Sequence, residues 1–243
     1  MTVLVVGASG ATGSKLVQQL LNQNHKVKVI VRSPKKLPDS WKTNDNLQII
    51  TASVLELSDA ELKNIVHDCQ AVASCLGHNL TFKGIYGQPR RLVTDAARRL
   101  CKAIQSNDLQ SSTKYVLMNT TGNRNRDLNE PISFAQKGVI GLLRLLLPPH
   151  VDNEKAADYL RTQIGQNNNF IEWVAVRPDG LINEDRVTDY EIHPSPTRSA
   201  IFNAGKVSRI NVAHFMASLI NDNKLWNAWK GQMPVIYSKS HLD

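Results

Sequence analysis

A glycine-rich turn between a short strand and a helix constrains this chain most strongly. The apolar, β-branched run Thr2–Val6 predicts a buried strand, and residues 14–23 have the pattern of an amphipathic helix. Between them, Gly7 permits a tight turn, Gly10 lets the backbone approach a phosphate, and Gly13 lets the helix pack closely on the sheet. Free N–H groups at the helix start then face the anion, so the segment predicts a diphosphate cradle. The alternative is a glycine-rich turn that binds no nucleotide.

Length and composition fit one domain. A chain of 243 residues with 42% hydrophobic and 21% charged content can bury one continuous α/β core, so we predict a single domain over residues 1–243. Because the chain starts directly with a core strand, no signal peptide is expected. No apolar run approaches the roughly 18 residues of a membrane-spanning helix. We therefore expect a cytoplasmic protein without stable membrane insertion.

The cysteines and the net charge indicate which kinds of ligand the protein is expected to bind. Cys69, Cys75 and Cys101 are odd in number and lack metal-ligand spacing, which predicts reduced thiols and no metal site. The net charge of +8 is spread along the chain, without the interleaved aromatic and basic residues typical of nucleic-acid binding. A basic surface around a pocket for anionic phosphates is favoured over a nucleic-acid interface.

Hydrophobic periodicity predicts alternating strands and helices along the chain. The predicted strands after the first cover residues 26–31, 47–51, 71–76, 115–118, 170–176, 207–210 and 233–237. The predicted helices cover residues 14–23, 58–67, 89–105, 153–162 and 212–220. Such alternation is typical of a parallel sheet with helices on both faces, so the predicted fold class is a doubly wound α/β domain.

Residues 122–152 interrupt this alternation. The segment begins polar, becomes apolar over residues 139–147, and ends at Pro148 and Pro149. A cap over a pocket is one interpretation, and a homodimer or protein-partner surface over residues 132–149 is another. A membrane-binding helix is less favoured because only Lys137 and Arg144 are nearby basic residues.

Several motifs occur together: Gly-x-x-Gly-x-x-Gly over residues 7–13, the strand exits at residues 31–33, 74–77 and 176–181, and residues 208–213. With these motifs the chain resembles the atypical short-chain dehydrogenase/reductases, an NAD(P)-binding group that includes NmrA-like proteins and flavin/biliverdin reductase B. The resemblance spans residues 1 to about 222. It implies a Rossmann-type sheet and a dinucleotide cofactor, and it says much less about the reaction.

The resemblance also implies which residues bind the cofactor. They are Gly7, Ser9, Gly10, Ala11, Thr12, Gly13, Arg32, Ser33, Cys75, Leu76, Gly77, His78, Lys155 and Pro178. A cation at the second strand exit accommodates a 2′-phosphate, so Arg32 favours NADP (NADPH) over NAD, with Ser33 and Lys35 or Lys36 in support. Alternatively, these cations are solvated surface residues. Ser53 stands where many relatives have an aspartate for the adenine.

The usual catalytic pair of the superfamily, Tyr-x-x-x-Lys, is missing from the relevant helix. Counting back from the Arg177-Pro178 turn by the family spacing puts Lys155 at the lysine position and Val151 at the tyrosine position. Lys155 is expected to bind the nicotinamide ribose. Tyr159 shares a helix face with Lys155, but packing is favoured over an acid role. His150 is an alternative proton donor or a structural residue.

Polar residues follow other strand ends. Thr120 and Thr121, after the fifth strand, are predicted to orient the substrate acceptor together with neighbouring Asn119, or to cap the turn. For His78, a pocket role and a local backbone bond remain open. Phe82 and Tyr86 could form an aromatic wall.

The sequence thus predicts an NADPH-dependent reductase of a small carbonyl, quinone or flavin-like substrate, with Lys155, Thr120 and Thr121 as catalytic residues. The proton would come from solvent or a nonstandard donor. The alternative is an NmrA-like, non-catalytic NAD(P) sensor whose apolar segment binds a partner protein.

Overall fold

A computed structural model describes residues 1–79, 81–108, 111–128, 130 and 134–239. Within this part of the chain there are ten strands and eight α-helices. The strands are β1 (Thr2–Val6), β2 (Lys26–Val31), β3 (Leu47–Thr51), β4 (Ala71–Ser74), β5 (Thr113–Met118), β6 (Ile171–Pro178), β7 (Gly180–Ile182), β8 (Tyr190–His193), β9 (Lys206–Ser208) and β10 (Val235–Ser238). The helices are α1 (Ala11–Asn22), α2 (Asp59–Val66), α3 (Phe82–Tyr86), α4 (Leu92–Gln105), α5 (Phe134–Leu146), α6 (Pro148–Tyr159), α7 (Arg209–Asn221) and α8 (Asn223–Trp229).

The central sheet confirms the predicted doubly wound class. Its strand order is β3-β2-β1-β4-β5-β6-β10-β8, and every described pair is parallel except β10 with β8. The chain runs outward from β1 to β3 and then returns to place β4 on the other side of β1. This reversal opens a crevice at the carboxyl ends of the strands, where ligands of such sheets bind.

Side chains of alternate strand residues bury the two faces of the sheet. Val3 and Val5 belong to the core formed with α1 and α7, whereas Leu4 and Val6 belong to the core formed with α2, α4 and α6. Because successive strand residues point to opposite faces, a strand covered by helices on both sides must be apolar throughout. This explains the unbroken apolar run of β1.

Several helix starts differ from those that the sequence predicts. Helix α1 begins at Ala11 rather than at residue 14, and α7 begins at Arg209 rather than at residue 212, so the second half of the strand predicted over residues 207–210 is helical. Helix α4 begins at Leu92 rather than at Pro89, because the buried carboxylate of Asp152 accepts hydrogen bonds from the N–H groups of Val93 (2.8 Å) and Thr94 (3.0 Å). Helix α6 begins at Pro148 rather than at Asn153. Proline is compatible with a first helical turn, since that turn has no acceptor for its N–H.

The segment predicted as a cap or partner surface contains helix α5 and the start of α6, with residues 129 and 131–133 outside the described part. Ile140 on α5 is buried, whereas Leu142, Leu145 and Leu146 are exposed. Arg144 makes two hydrogen bonds of 2.8 Å to the carboxylate of Glu154, which joins α5 to α6. No helix among the described residues is long and apolar enough to cross a bilayer.

Acid is expected to weaken the junction between α5 and α6. Burial raises the pKa of Glu154, but contacts with His150 and Arg144 outweigh it and bring the pKa from its ordinary value of 4.5 to about 2. A carboxylate with a lowered folded-state pKa stabilises the fold above its unfolded pKa and loses this contribution as the pH falls toward the folded value. Stability should therefore drop between about pH 5 and pH 2.

Urea unfolding at several pH values measures this effect. Glu154→Gln should flatten the decrease in the free energy of unfolding below about pH 5. Glu56→Gln is the matched control, because Glu56 is exposed and forms no ion pair within the described residues. Equal acid sensitivity of wild type and Glu154→Gln would contradict the prediction.

Candidate functional site

A cleft of about 460 Å³ lies at the carboxyl ends of β1 to β4. It brings together the glycine-rich turn, the exit of β2 and the exit of β4. Its walls include eight of the residues predicted to bind the cofactor: Gly7, Ser9, Gly10, Arg32, Ser33, Cys75, Leu76 and Gly77. These three segments lie close together because their strands end side by side. Val6 of β1 pairs with Ile30 of β2 on one side and with Ser74 of β4 on the other.

The turn itself depends on the absence of side chains. Gly7 has a φ of +80°, and a Cβ there would lie 2.5 Å from the carbonyl carbon of Cys75. A Cβ on Gly13 would lie 2.2 Å from the carbonyl oxygen of Gly7. At Gly10 the nearest atom is that same oxygen, at 3.1 Å. Gly7 and Gly13 are therefore required by the fold, and Gly10 leaves the space in front of the turn open.

The start of α1 is available to an anion. Gly10 is the N-cap residue, no side chain caps this helix, and its first turn has no acidic residue. Ala11, Thr12 and Gly13 form that first turn. Its N–H groups and the positive end of the helix dipole favour a diphosphate at this position.

A cationic residue, Arg32, follows the end of β2 and lines the cleft. Arg32 is exposed, and within the described residues its guanidinium has no hydrogen-bond or ion-pair partner. The Ser33 hydroxyl oxygen accepts from the N–H of Lys35 at 3.4 Å, which leaves the hydroxyl proton for another acceptor. The side chain of Lys36 lies outside the described part. Ser53 lines the same cleft after β3.

His78, which is predicted to bind the cofactor, has both ring nitrogens in contact with other parts of the protein. Its Nδ1 lies 3.2 Å from the carbonyl oxygen of Gly84, and its Nε2 lies 2.8 Å from Oδ2 of Asp152. The contact with the Gly84 carbonyl is the local backbone bond that was the predicted alternative to a pocket role. Burial raises the pKa of Asp152, but hydrogen bonds from His78, Thr94 and backbone N–H groups outweigh it and leave the pKa below its ordinary value.

Lys155 does not join the cleft residues. The lysine is exposed on α6 and lines an outer groove between α4 and α6, together with Arg98 and Tyr159. The interior face of this turn is taken by Asp152 and Ala156, which are buried. A ribose-binding role for Lys155 is not supported by this position. Tyr159 packs with its ring 5.5 Å from the Arg98 guanidinium, and burial raises its pKa to about 12, in agreement with a packing role.

The carboxyl ends of β5 and β6 form a second group of polar residues. Thr121 donates its N–H to the carbonyl of Pro178 at 3.1 Å and its hydroxyl to Oδ1 of Asp179 at 3.1 Å. The Thr120 hydroxyl oxygen instead accepts a hydrogen bond from the N–H of Gly122, so Thr120 caps the turn. Thr121 also lines a cavity.

A family model described as NAD(P)H-binding matches residues 7–223, which is most of the chain. The chain belongs to this NAD(P)H-binding family. An uncharacterized chloroplastic protein of Arabidopsis thaliana is 29% identical over 211 residues, covering 87% of this NAD(P)H-binding protein and 69% of that relative.

Solved structures share the fold of this NAD(P)H-binding protein. The oxidoreductase ylbE from Lactococcus lactis matches with a TM-score of 0.69 at 15% identity, over 98% of this chain and 91% of that chain. A short-chain dehydrogenase/reductase from Veillonella parvula, solved in complex with NADP, matches with a TM-score of 0.70 at 16% identity, over 98% and 95%. At such identities the likeness establishes the Rossmann-type fold.

Asp179 and Asp152 lie in the site region, although neither was predicted as a site residue. Asp179 follows β6 directly, and burial raises its pKa, an effect that hydrogen bonds from Gly205 N–H (2.8 Å) and the Thr121 hydroxyl only partly offset. A polar residue immediately after a buried strand could have indicated Asp179. The partners of Asp152 lie in α4 and in the loop after β4, far apart in sequence, so no local pattern indicated it.

Proposed function

We propose that this protein is an NADPH-dependent reductase that transfers hydride to a small carbonyl, quinone or flavin-like acceptor. One observation carries the proposal: the glycine-rich turn, Arg32 with Ser33, and the exit of β4 line one cleft, and the same sheet edge continues to Thr121 and Asp179. A dinucleotide held at the first three would extend across β4 toward the last two.

The residues of the cleft fit each part of such a cofactor. The uncapped first turn of α1 and the open space at Gly10 accept the diphosphate. Arg32 and Ser33 bind the 2′-phosphate, which NADPH has and NADH lacks. NADPH, when bound, supplies the hydride for reduction of the acceptor.

Thr121 and Asp179 are the proposed route of the proton. Because burial raises the pKa of Asp179, its carboxyl group holds a proton more readily than an ordinary aspartate. In the structure the Thr121 hydroxyl donates to Oδ1 of Asp179 at 3.1 Å. When the Asp179 carboxyl group is protonated, the hydroxyl turns to the acceptor oxygen, donates its proton there and takes the proton of Asp179. The pair thus takes the place of the tyrosine that the helix lacks.

The test of this proposal measures binding and turnover separately. Calorimetry with NADPH and NADH gives the affinities, and NADPH oxidation is followed with aldehydes, quinones and flavins as acceptors. We expect Thr121→Val to lower kcat by at least about tenfold with little change in NADPH affinity. Thr120→Val is the matched control, because its hydroxyl serves the turn. Tight NADPH binding without turnover of any acceptor would support the sensor instead.

The choice of cofactor is expected to depend on Arg32. Arg32→Glu should weaken NADPH binding by at least about tenfold, equivalent to about 1.4 kcal/mol, while NADH binding changes little. Lys26→Glu makes the same charge change at the opposite end of β2 and should leave the preference unaltered. An unchanged ratio of the two affinities in Arg32→Glu would refute the role of this guanidinium.

A further inference from the structure

A second cavity, of about 240 Å³, lies beyond the carboxyl ends of β5 and β6. Thr121 and Glu130 line it on one side, Ile140 of α5 on another, and residues 196–200 close it. Since β4 and β5 are neighbours in the sheet, this cavity lies along the same edge as the cofactor cleft. This volume is far above the roughly 10–15 Å³ that one water needs on the same kind of measure, so a compact molecule fits.

The charges around this cavity do not cancel. Arg124 and Arg198 both line it, and within the described residues neither forms an ion pair. The carboxylate of Glu130 is already neutralised by the buried guanidinium of Arg177, with Nη2 to Oε1 at 2.7 Å. The neighbouring Arg126 differs, because it pairs with Asp158 at 3.1 Å. Arg124 and Arg198, neither of which has an ion pair within the described residues, therefore line one small cavity, and the neighbouring Asp179 carboxyl group offsets only part of the positive charge of Arg198.

Arg198 is also held in place. Its guanidinium carbon lies 5.4 Å from the centre of the Tyr237 ring, a geometry that orients the group without neutralising its charge. Thr121, on the wall of the same cavity, has its hydroxyl bonded to Asp179. A ligand that fills the cavity would contact the cations and the proposed proton route together.

We propose that this cavity binds a carboxylate or phosphate group of the substrate through Arg124 and Arg198, so that the preferred acceptor is a compact anionic carbonyl compound. Guanidinium groups bind such oxyanions with paired, charge-assisted hydrogen bonds. The assignment of the ligand as substrate rests on the reductase function proposed above, whereas the anion site itself does not.

Binding of benzoate tests the anion site without any turnover. Calorimetry is run with the protein saturated with NADP, so that the dinucleotide cleft is filled, and benzamide serves as the neutral probe. We expect benzoate to bind at least tenfold more tightly than benzamide, and the double variant Arg124→Gln/Arg198→Gln to lose this difference. Arg126→Gln, the matched control, should retain it, and Arg198→Lys should keep part of it because the charge remains.

Reduction of 4-carboxybenzaldehyde compared with benzaldehyde tests the substrate class. Hydride adds to the carbonyl carbon and a proton to its oxygen, giving the alcohol and NADP. A kcat/KM ratio that favours the acid by at least tenfold in wild type, and falls toward one in the double variant, supports the proposal. Equal benzoate and benzamide affinities, or a preference that survives in the double variant, would overturn it. Selective benzoate binding without NADPH oxidation by any of the aldehydes, quinones and flavins would refute the reductase and leave the anion site standing.

Discussion

Replacing Arg177 with methionine is expected to destabilise the protein by about 3–5 kcal/mol, the usual cost of leaving a buried charge without its partner. Arg177 is completely buried and makes two hydrogen bonds to the carboxylate of Glu130, at 2.7 and 3.1 Å. It also donates to the carbonyl groups of Asn123, Met233 and Pro194. One side chain thus joins the end of β6 to the loop after β5, the residues after β8 and the residues before β10.

Urea unfolding of a matched set of variants measures this effect. Arg177→Met leaves the Glu130 carboxylate buried and unpaired, whereas Arg177→Met/Glu130→Leu removes both charges. The double variant should therefore be more stable than the single one, although the three carbonyl groups still lose their donor. A single variant within about 0.5 kcal/mol of wild type would show that the ion pair contributes little.

Gly13→Ala is expected to give the largest loss of cofactor binding. The new Cβ would lie 2.2 Å from the carbonyl oxygen and 2.8 Å from the carbonyl carbon of Gly7, so the turn or the helix must move. Overpacking of this kind costs about 1–3 kcal/mol or more, and it displaces the N–H groups that face the diphosphate. We expect NADPH affinity to fall by roughly a hundredfold, about 2.7 kcal/mol.

Two further glycine variants separate folding from binding. Gly10→Ala meets only the Gly7 carbonyl oxygen at 3.1 Å, so it should retain most of the stability and still lose NADPH affinity, because the methyl group occupies the approach to the turn. Gly141→Ala, on α5, meets no atom within 4 Å and should be neutral or slightly stabilising. If Gly13→Ala matched Gly141→Ala in melting temperature and NADPH affinity, the close packing of α1 on the turn would not matter.

Local patterns predicted those elements whose stability depends on nearby residues. Helix α2 is an example: Ser58 accepts from the N–H of Glu61, and the Glu61 carboxylate accepts from the N–H of Ser58, so the cap is complete within four residues. The parallel strands were predictable because burial on both faces demands continuous apolar runs. The antiparallel strand β8 was not predicted, because its four residues, Tyr190–His193, include two polar ones and form no continuous apolar run.

Side-chain roles were less predictable than elements. The family spacing places Lys155 at a catalytic position, yet a helix can present a given residue only on one face, and here Asp152 occupies the inner face. His78 follows a strand end near the cleft, as predicted, but Asp152 and the carbonyl of Gly84 hold its ring. Position along the sequence predicted which loop each residue belongs to, and packing decided where its side chain points.

The amino-acid sequence by itself determined the doubly wound sheet, the glycine-rich turn and the meeting of Arg32 and Ser33 with that turn. These follow from short-range steric rules and from the fact that parallel strands end at a common edge. Only the tertiary structure decided that Asp152 caps α4 and that Thr121 bonds Asp179. The same holds for Arg124 and Arg198, which line one cavity. Those contacts join residues separated by dozens of positions, and their geometry depends on how the helices and loops pack.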